Sequence, residues 1–360
     1  MTKRKYVPVL KGKLGEFNAL RNMRPDEKCL VTPLIEIPPI PWDHENDQPA
    51  KSVDQHLSKV DGLLAKSWGM QHSLFLDFLW IGEKERMSDG SHPMENLFER
   101  TRKEGLNVIP VTALVRGDDY QSACRRIVAK DHRGVCLRIH TEDFEQPELE
   151  FEVAKILKRV GVTEGEVDLL LDLGSLGRDV SPQSVKDVVS KIRNLPYLKK
   201  WRSFAISGTG FPVDLMGLPP LNVSAVARSE WKLWRNIIKT SIVPRMPVFG
   251  DYAIAHPQPP EVDPRIMRAS ASIRYTTDED WLILKGQNLR DHGYGQFHEV
   301  SGTLIKSGEY SGPEFSWGDW FIGECAGRRS SSGNLTTWRA VGTSHHISFV
   351  LRQVASFSWT

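Results

Sequence analysis

Cysteine is scarce in this chain. Four residues, Cys29, Cys124, Cys136 and Cys325, are spread over 360 positions without paired spacing. That argues against a disulfide framework and against thiolate metal ligation, and it predicts reduced thiols in a reducing compartment. An excess of either charge is also missing. With 47 basic and 45 acidic residues the formal net charge is +2, so there is no overall electrostatic footprint for nucleic acid, although a balanced total leaves room for a local patch. Long apolar runs are absent as well. No segment is long enough to span a bilayer. The opening Met1-Thr2-Lys3-Arg4-Lys5 reads as a solvated basic tail rather than the apolar stretch of a secretory signal. These absences predict a cytoplasmic chain with no membrane partner.

What is present is a rhythm. A composition that is 40% hydrophobic can bury a sizeable core without covalent staples. Short apolar runs alternate with longer amphipathic segments about eight times. Strands are predicted at Tyr6–Leu10, Thr32–Ile37, Ser73–Trp80, Asn107–Leu114, Val135–Ile139, Val167–Leu173, Ser203–Ser207 and Pro247–Phe249. Helices are predicted from Gly15 and over Lys51–Trp68, Pro93–Lys103, Tyr120–Ala129, Glu148–Val160, Ser181–Leu195, Val226–Thr240 and His345–Phe357. Nearly continuous apolar strands are those covered on both faces, and strands separated by helices pair in parallel through right-handed crossovers. The expected fold is an α/β closed eight-stranded parallel βα barrel of the TIM type. A doubly wound open sheet is the alternative.

One domain is expected over residues 1–360. Within it, residues 252–344 should form a β-hairpin (Ser270–Tyr275 and Asp280–Lys285) and a loop-like lid over the barrel mouth, the region 308–336 being rich in Gly, Ser and aromatics. Trp317 would belong to that lid, and Glu314, Trp317 and Asp319 could close over the mouth. His345-His346 reads as a capping or surface pair, since adjacent helical residues point apart and grip one ion poorly.

Active sites of such barrels sit at the carboxyl ends of the strands. Polar residues there include Lys11, Glu36, Asp77, Arg116, Arg138, His140, Asp172, Ser207 and Asp251. Glu36, Asp77 and Asp172 stand out as carboxylates inside apolar runs (LIEIP, FLDFL, LLDLG). A buried carboxylate must be paired or must bind a cation. Two readings follow. In one, the three join Lys11 and Arg138 in an ion-pair network. In the other, Lys11, Glu36, Asp77, Arg138 and Asp172 are catalytic, with Glu36, Asp77 and Asp172 holding magnesium or manganese, the metals suited to oxygen ligands. Strand alternation leaves open whether these side chains face into the barrel or toward the helices. Two cations and three anions would give the cluster a net charge of −1. Ser207-Gly208-Thr209-Gly210 after the seventh strand would suit a phosphate-binding turn, or simply a tight turn. Asp251 and Trp317 complete the candidate substrate contacts.

The opening YVPVLKGKLGEFNAL…TPLIEIPP, the central LLLDLGS and the ending YSGPEFSWGD…GNLTTWRAVGTSHHISFV resemble the "beta protein" family of phages, prophages and bacterial genomes, over nearly the whole chain. The resemblance implies a part in phage–host conflict and assigns no reaction. Two functions are therefore expected as alternatives. One is a metal-dependent phosphodiesterase or nuclease-like hydrolase acting on a phosphorylated small molecule or nucleic acid. The other is a non-catalytic sensor that recognises a phage component, such as a protein partner, through the mouth and lid.

Overall fold

A computed structural model describes residues 5–145, 148–240, 243–258 and 268–357. The basic run Met1–Arg4 and residues 259–267 of the expected insertion lie outside the described residues. The strands are β1 (Tyr6–Leu10), β2 (Leu34–Glu36), β3 (Trp42–Asp43), β4 (Gln48–Pro49), β5 (Leu74–Asp77), β6 (Val108–Thr112), β7 (Val135–His140), β8 (Val167–Ser175), β9 (Ser203–Thr209), β10 (Asn222–Ala227), β11 (Val248–Asp251), β12 (Ser270–Thr276) and β13 (Asp280–Asn288). The helices are α1 (Leu14–Arg21), α2 (Pro25–Lys28), α3 (Val53–Leu57), α4 (Val60–Ser67), α5 (Pro93–Lys103), α6 (Asp118–Asp131), α7 (Leu149–Val160), α8 (Pro182–Asn194), α9 (Ser229–Lys239), α10 (Leu289–His292), α11 (Phe297–Lys306), α12 (Trp317–Ala326) and α13 (Leu335–Ser356).

Eight parallel strands close into a barrel in the order β1-β11-β9-β8-β7-β6-β5-β2. The last strand returns to the first, with Tyr6 opposite Phe249 and Pro8 opposite Asp251. The open-sheet alternative is thereby excluded. Alternation divides the wall into two faces. Val7, Val9, Leu34, Phe75, Ile109, Val111, Cys136, Leu170, Ala205 and Tyr252 fill the interior, and the residues between them, such as Tyr6, Leu10, Ile35, Leu76 and Phe249, join the larger core beneath the helices.

Antiparallel β10-β13-β12 form a separate sheet. Its inner face packs with α11, α12 and the start of α13 in a core of its own, built on Ile273, Tyr275, Leu284, Phe297, Ile322, Trp338 and Val341. The second half of α13, with Ile347, Val350, Leu351 and Val354, belongs to the core beneath the barrel helices. One 22-residue helix therefore joins both cores. Glycine permits its close neighbours. A Cβ at Gly15 of α1 would lie 2.7 Å from the Thr336 carbonyl oxygen, and one at Gly318 of α12 would lie 2.3 Å from that of Val341.

Several local expectations need correction. The predicted Lys51–Trp68 helix is two helices, α3 and α4, broken at Ser58–Lys59. Val226 and Ala227, read as helix, end strand β10, which pairs with β13. The region 308–336 contains α12, whose Phe321, Ile322 and Cys325 are buried against the second sheet, and α13 starts ten residues before His345. Among the described residues no helix is long and apolar enough to cross a membrane, and all four cysteines are free.

Candidate functional site

The interior face of the barrel fixes the site. Leu34, Phe75, Cys136, Leu170 and Ala205 point inward, so two residues on in each strand Glu36, Asp77, Arg138, Asp172 and Ser207 point inward too, at the carboxyl end. The sequence left this direction open. Lys11 follows β1 with the parity of Val7 and Val9.

Arg138 stands at the centre of this layer. Its Nε donates to Asp172 Oδ2 at 2.8 Å, its Nη1 to Asp77 Oδ2 at 2.8 Å and its Nη2 to the Tyr252 hydroxyl at 2.7 Å. Nη2 is also 2.9 Å from Glu36 Oε1, an ion-pair contact without hydrogen-bond alignment. The Tyr252 hydroxyl donates to Asp172 Oδ2 at 2.5 Å, and Gly174 N–H and Ser207 Oγ cover Oδ1 at 3.0 and 3.2 Å. Arg116 Nη2 holds the other oxygen of Asp77 at 2.9 Å. Lys11 Nζ binds Glu36 Oε2 at 2.5 Å, donates to the Pro257 carbonyl, and lies over the rings of Trp80 and Tyr252 at 5.7 and 4.9 Å. Trp80 Nε1 donates to the same Glu36 oxygen at 3.1 Å.

All five predicted charged residues thus meet in one cluster. Its charge differs from expectation, because Arg116 makes three cations against three carboxylates. Glu36, Asp77, Arg138 and Asp172 are each at most 1% exposed, a degree of burial that requires such balance. Burial works to raise the Asp172 carboxyl, yet the adjoining Arg138 charge, His140, the Tyr252 hydroxyl and the Gly174 amide hold it at about 2. Burial works to lower Arg138, but Tyr252 and the three carboxylates around it keep its affinity for the proton well above the ordinary arginine range. Burial also raises the Tyr252 phenol well above its usual range.

The metal expectation fails on geometry. The carboxylates converge, but a guanidinium fills the point of convergence, and among the described residues no group of three or more His, Cys, Asp or Glu side chains is placed to hold an ion. The expected turn at Ser207–Gly210 is strand up to Thr209. Thr209 carbonyl accepts from Leu176 N–H at 2.8 Å, and the Gly210 amide donates to Glu230 Oε2 at 2.9 Å, so that amide already has a carboxylate partner and does not await an anion.

Asp251 faces away from the interior because its neighbours Gly250 and Tyr252 take the inward parity. Tyr6 OH donates to Asp251 Oδ1, Ala253 N–H reaches the same oxygen at 2.8 Å, and His346 Nε2 lies 2.8 Å from Oδ2. His346 Nδ1 is 2.8 Å from Thr276 Oγ1. The adjacent His345 turns the other way, with Nδ1 2.9 Å from Asp319 Oδ2 and Nε2 2.8 Å from the Thr276 carbonyl, stacked on Tyr275 at 3.7 Å. Both imidazoles are 0% exposed. The surface reading of this pair is therefore overturned: the two histidines pin α13 to the barrel wall, to β12 and to α12. Burial, opposed by Asp251, lowers the pKa of His346. Nearby, burial and the Asp251 charge push the Glu230 carboxyl up to about 7 despite Arg228.

Trp317 does not close over the mouth. It lines a cleft of about 260 Å³ with Asn22, Arg24, Glu27, Ser344 and Ser348, beyond the far end of α1. That helix leaves the mouth directly after Lys11 and runs eight residues, about 12 Å. Arg116, noted only as a polar strand-end residue, and Tyr252 and Trp80 are the cluster members outside the expected five. Tyr252 was accessible through parity with Val248 and Gly250, whereas Arg116 and Trp80 lie beyond their strands, where alternation gives no direction.

A family model described as "Beta protein" matches residues 6–352. The chain belongs to the Beta protein family. The match runs from the first barrel strand into α13, so barrel and second sheet both fall within this Beta protein's family region. A search of curated proteins finds no match.

Proposed function

We propose that this Beta protein is a recognition protein, acting in phage–host conflict by binding a component of a phage or mobile element at its barrel mouth, and is not a metal-dependent hydrolase. One observation carries the reading: the Arg138 guanidinium occupies the point where three inward carboxylates meet. Each carboxylate is paired with at least one cation, Arg138, Arg116 or Lys11, which argues against a metal seat or a free carboxylate base. Around the sealed layer, Trp80, Arg116 and His140 keep part of their surface in solvent, an aromatic and cationic rim suited to contact. In cells challenged with phage, wild-type protein should lower plating efficiency, and Trp80→Ala should lose that effect while remaining folded. Purified protein should release no phosphate or nucleotide from nucleotides, DNA or RNA with magnesium or manganese. Metal-dependent turnover abolished by Asp77→Asn in a folded variant would overturn the proposal.

A second reading rests on His140. Its side chain is 28% exposed, with Nδ1 3.8 Å from Asp172 Oδ2. A partly exposed imidazole beside a buried carboxylate at a barrel mouth would suit a general acid–base, which would serve hydrolysis without a metal. Turnover unaffected by a chelator and lost in His140→Gln would favour it.

A further inference from the structure

The flank cleft is separate from the mouth and plays no part in the reading above. We propose that it binds a primary alkylammonium group, the chemistry of a lysine side chain or of a free alkylamine. Its volume of about 260 Å³ admits a short alkyl chain with a polar head, and is below the range of most drug-sized ligand pockets. Trp317 and Trp320, three residues apart on α12, form one wall, and Pro313 adjoins them. Trp320 is 47% exposed. Indole faces attract cations, and an alkyl stem covers the apolar area that water would otherwise meet.

The floor is α13. Ser344 and Ser348 stand one turn apart there. Ser344 Oγ accepts the Gly318 amide at 3.3 Å, whereas the hydroxyl of Ser348, a residue only 7% exposed, has no side-chain hydrogen bond among the described residues. Its hydroxyl borders the cleft and can accept from an ammonium. The opposite wall carries Arg24, which is already neutralised by Glu27 at 2.9 Å and Asp26 at 3.8 Å. Glu314 is exposed and has no ion-pair partner among the described residues. The lining thus holds one cation and two carboxylates. Arg352 is drawn over the Phe315 ring, 5.8 Å from its centroid, and is not part of the lining. An anion is disfavoured because the α12 terminus beside the cleft already has the Ser316 cap and the Asp319 carboxylate in its first turn.

Butylammonium, butanol and butyrate have similar chain lengths and differ in charge, so they separate the possibilities. Titrated against the whole protein with tryptophan fluorescence as readout, butylammonium should saturate, and butanol and butyrate should bind roughly tenfold more weakly. Trp320→Ala and Glu314→Gln, both at the surface, should each weaken butylammonium roughly threefold or more at an unchanged melting temperature. A lysine-containing hexapeptide that binds more tightly than butylammonium identifies a protein-borne lysine as the source, and equal or weaker binding identifies a free amine. Tighter binding of butyrate, equal binding of butanol, or no saturable signal from any probe would each overturn the proposal.

Discussion

Two buried charge networks lie on opposite sides of the barrel wall and are built from different chemistry. Inside, three carboxylates share two guanidiniums and an ammonium. Outside, Asp251 and Asp319 are met by His346 and His345. Six strand or loop ends bring charges to the inner site, and a planar guanidinium with five fixed donors can serve several acceptors there at once. The outer network joins a helix to a strand, where an imidazole offers two contacts in opposite directions. Inside, Arg138 holds its proton more tightly than an ordinary arginine and Asp172 is held at about 2, whereas outside burial lowers the proton affinity of His346.

The sharpest way to break this comparison is Arg138→Met. It leaves Glu36, Asp77 and Asp172 without their shared cation, and should cost ~3–5 kcal/mol or prevent folding altogether. Urea unfolding measures it, and near-wild-type stability would show that the layer is hydrated. Asp77→Ala should cost about 3 kcal/mol, at the lower end of that range, because Arg138 keeps two carboxylates while Arg116 loses its partner. His346→Ala, which strips contacts from Asp251 and Thr276 and opens a void, should cost ~2–3 kcal/mol in the same assay.

pH separates the two networks. His346 titrates lower folded than unfolded, so its contribution is present above the ordinary imidazole range and is lost as pH falls below it. Glu230 is raised to about 7, so its contribution is complete below the ordinary glutamate range and is lost as pH rises through 7. Glu230→Gln should therefore match wild type near pH 5 and exceed it at pH 8, by on the order of 1–3 kcal/mol. Asp172, held at about 2, keeps its contribution until pH falls below the ordinary aspartate range. Thermal melts at pH 5 and 8 check the Glu230 prediction, and a flat difference between the proteins would contradict it. The smallest effect should come from a solvated pair. Arg126 and Glu95 make two contacts at 2.6 and 2.7 Å on the helix surface, yet Arg126→Gln should cost less than ~1 kcal/mol.

Much of the barrel was legible because its strands are apolar on both faces and its helices carry a polar one. Pro93–Lys103 agrees at both ends, since Pro93 and the run of basic residues at its close mark the boundaries. The charged cluster was legible for a related reason: Glu36, Asp77 and Asp172 interrupt apolar runs. Its direction was not, since both faces of those strands are buried and alternation leaves no trace in hydropathy. The second sheet was partly missed. Asn222–Ala227 is short and largely exposed, so it lacks a hydrophobic signature. In WGDWFIGECA, helix α12 has two glycines and apolar residues around much of its circumference, which obscures the helical period. His345 and His346 look like surface residues until Asp251 and Asp319, distant in sequence, are brought beside them.

The seating of α13 on α1 has a consequence in time. Gly15 touches the backbone of Thr336, so α1 lacks this neighbour until roughly 300 more residues have been made. At a synthesis rate of ~5–20 residues per second that delay is roughly 15–60 s. Phe17 and Leu20, both buried in the finished fold, emerge from the ribosome well before the helix that completes their surroundings. During that interval the beginning of the nascent chain exposes apolar surface that α13 later covers.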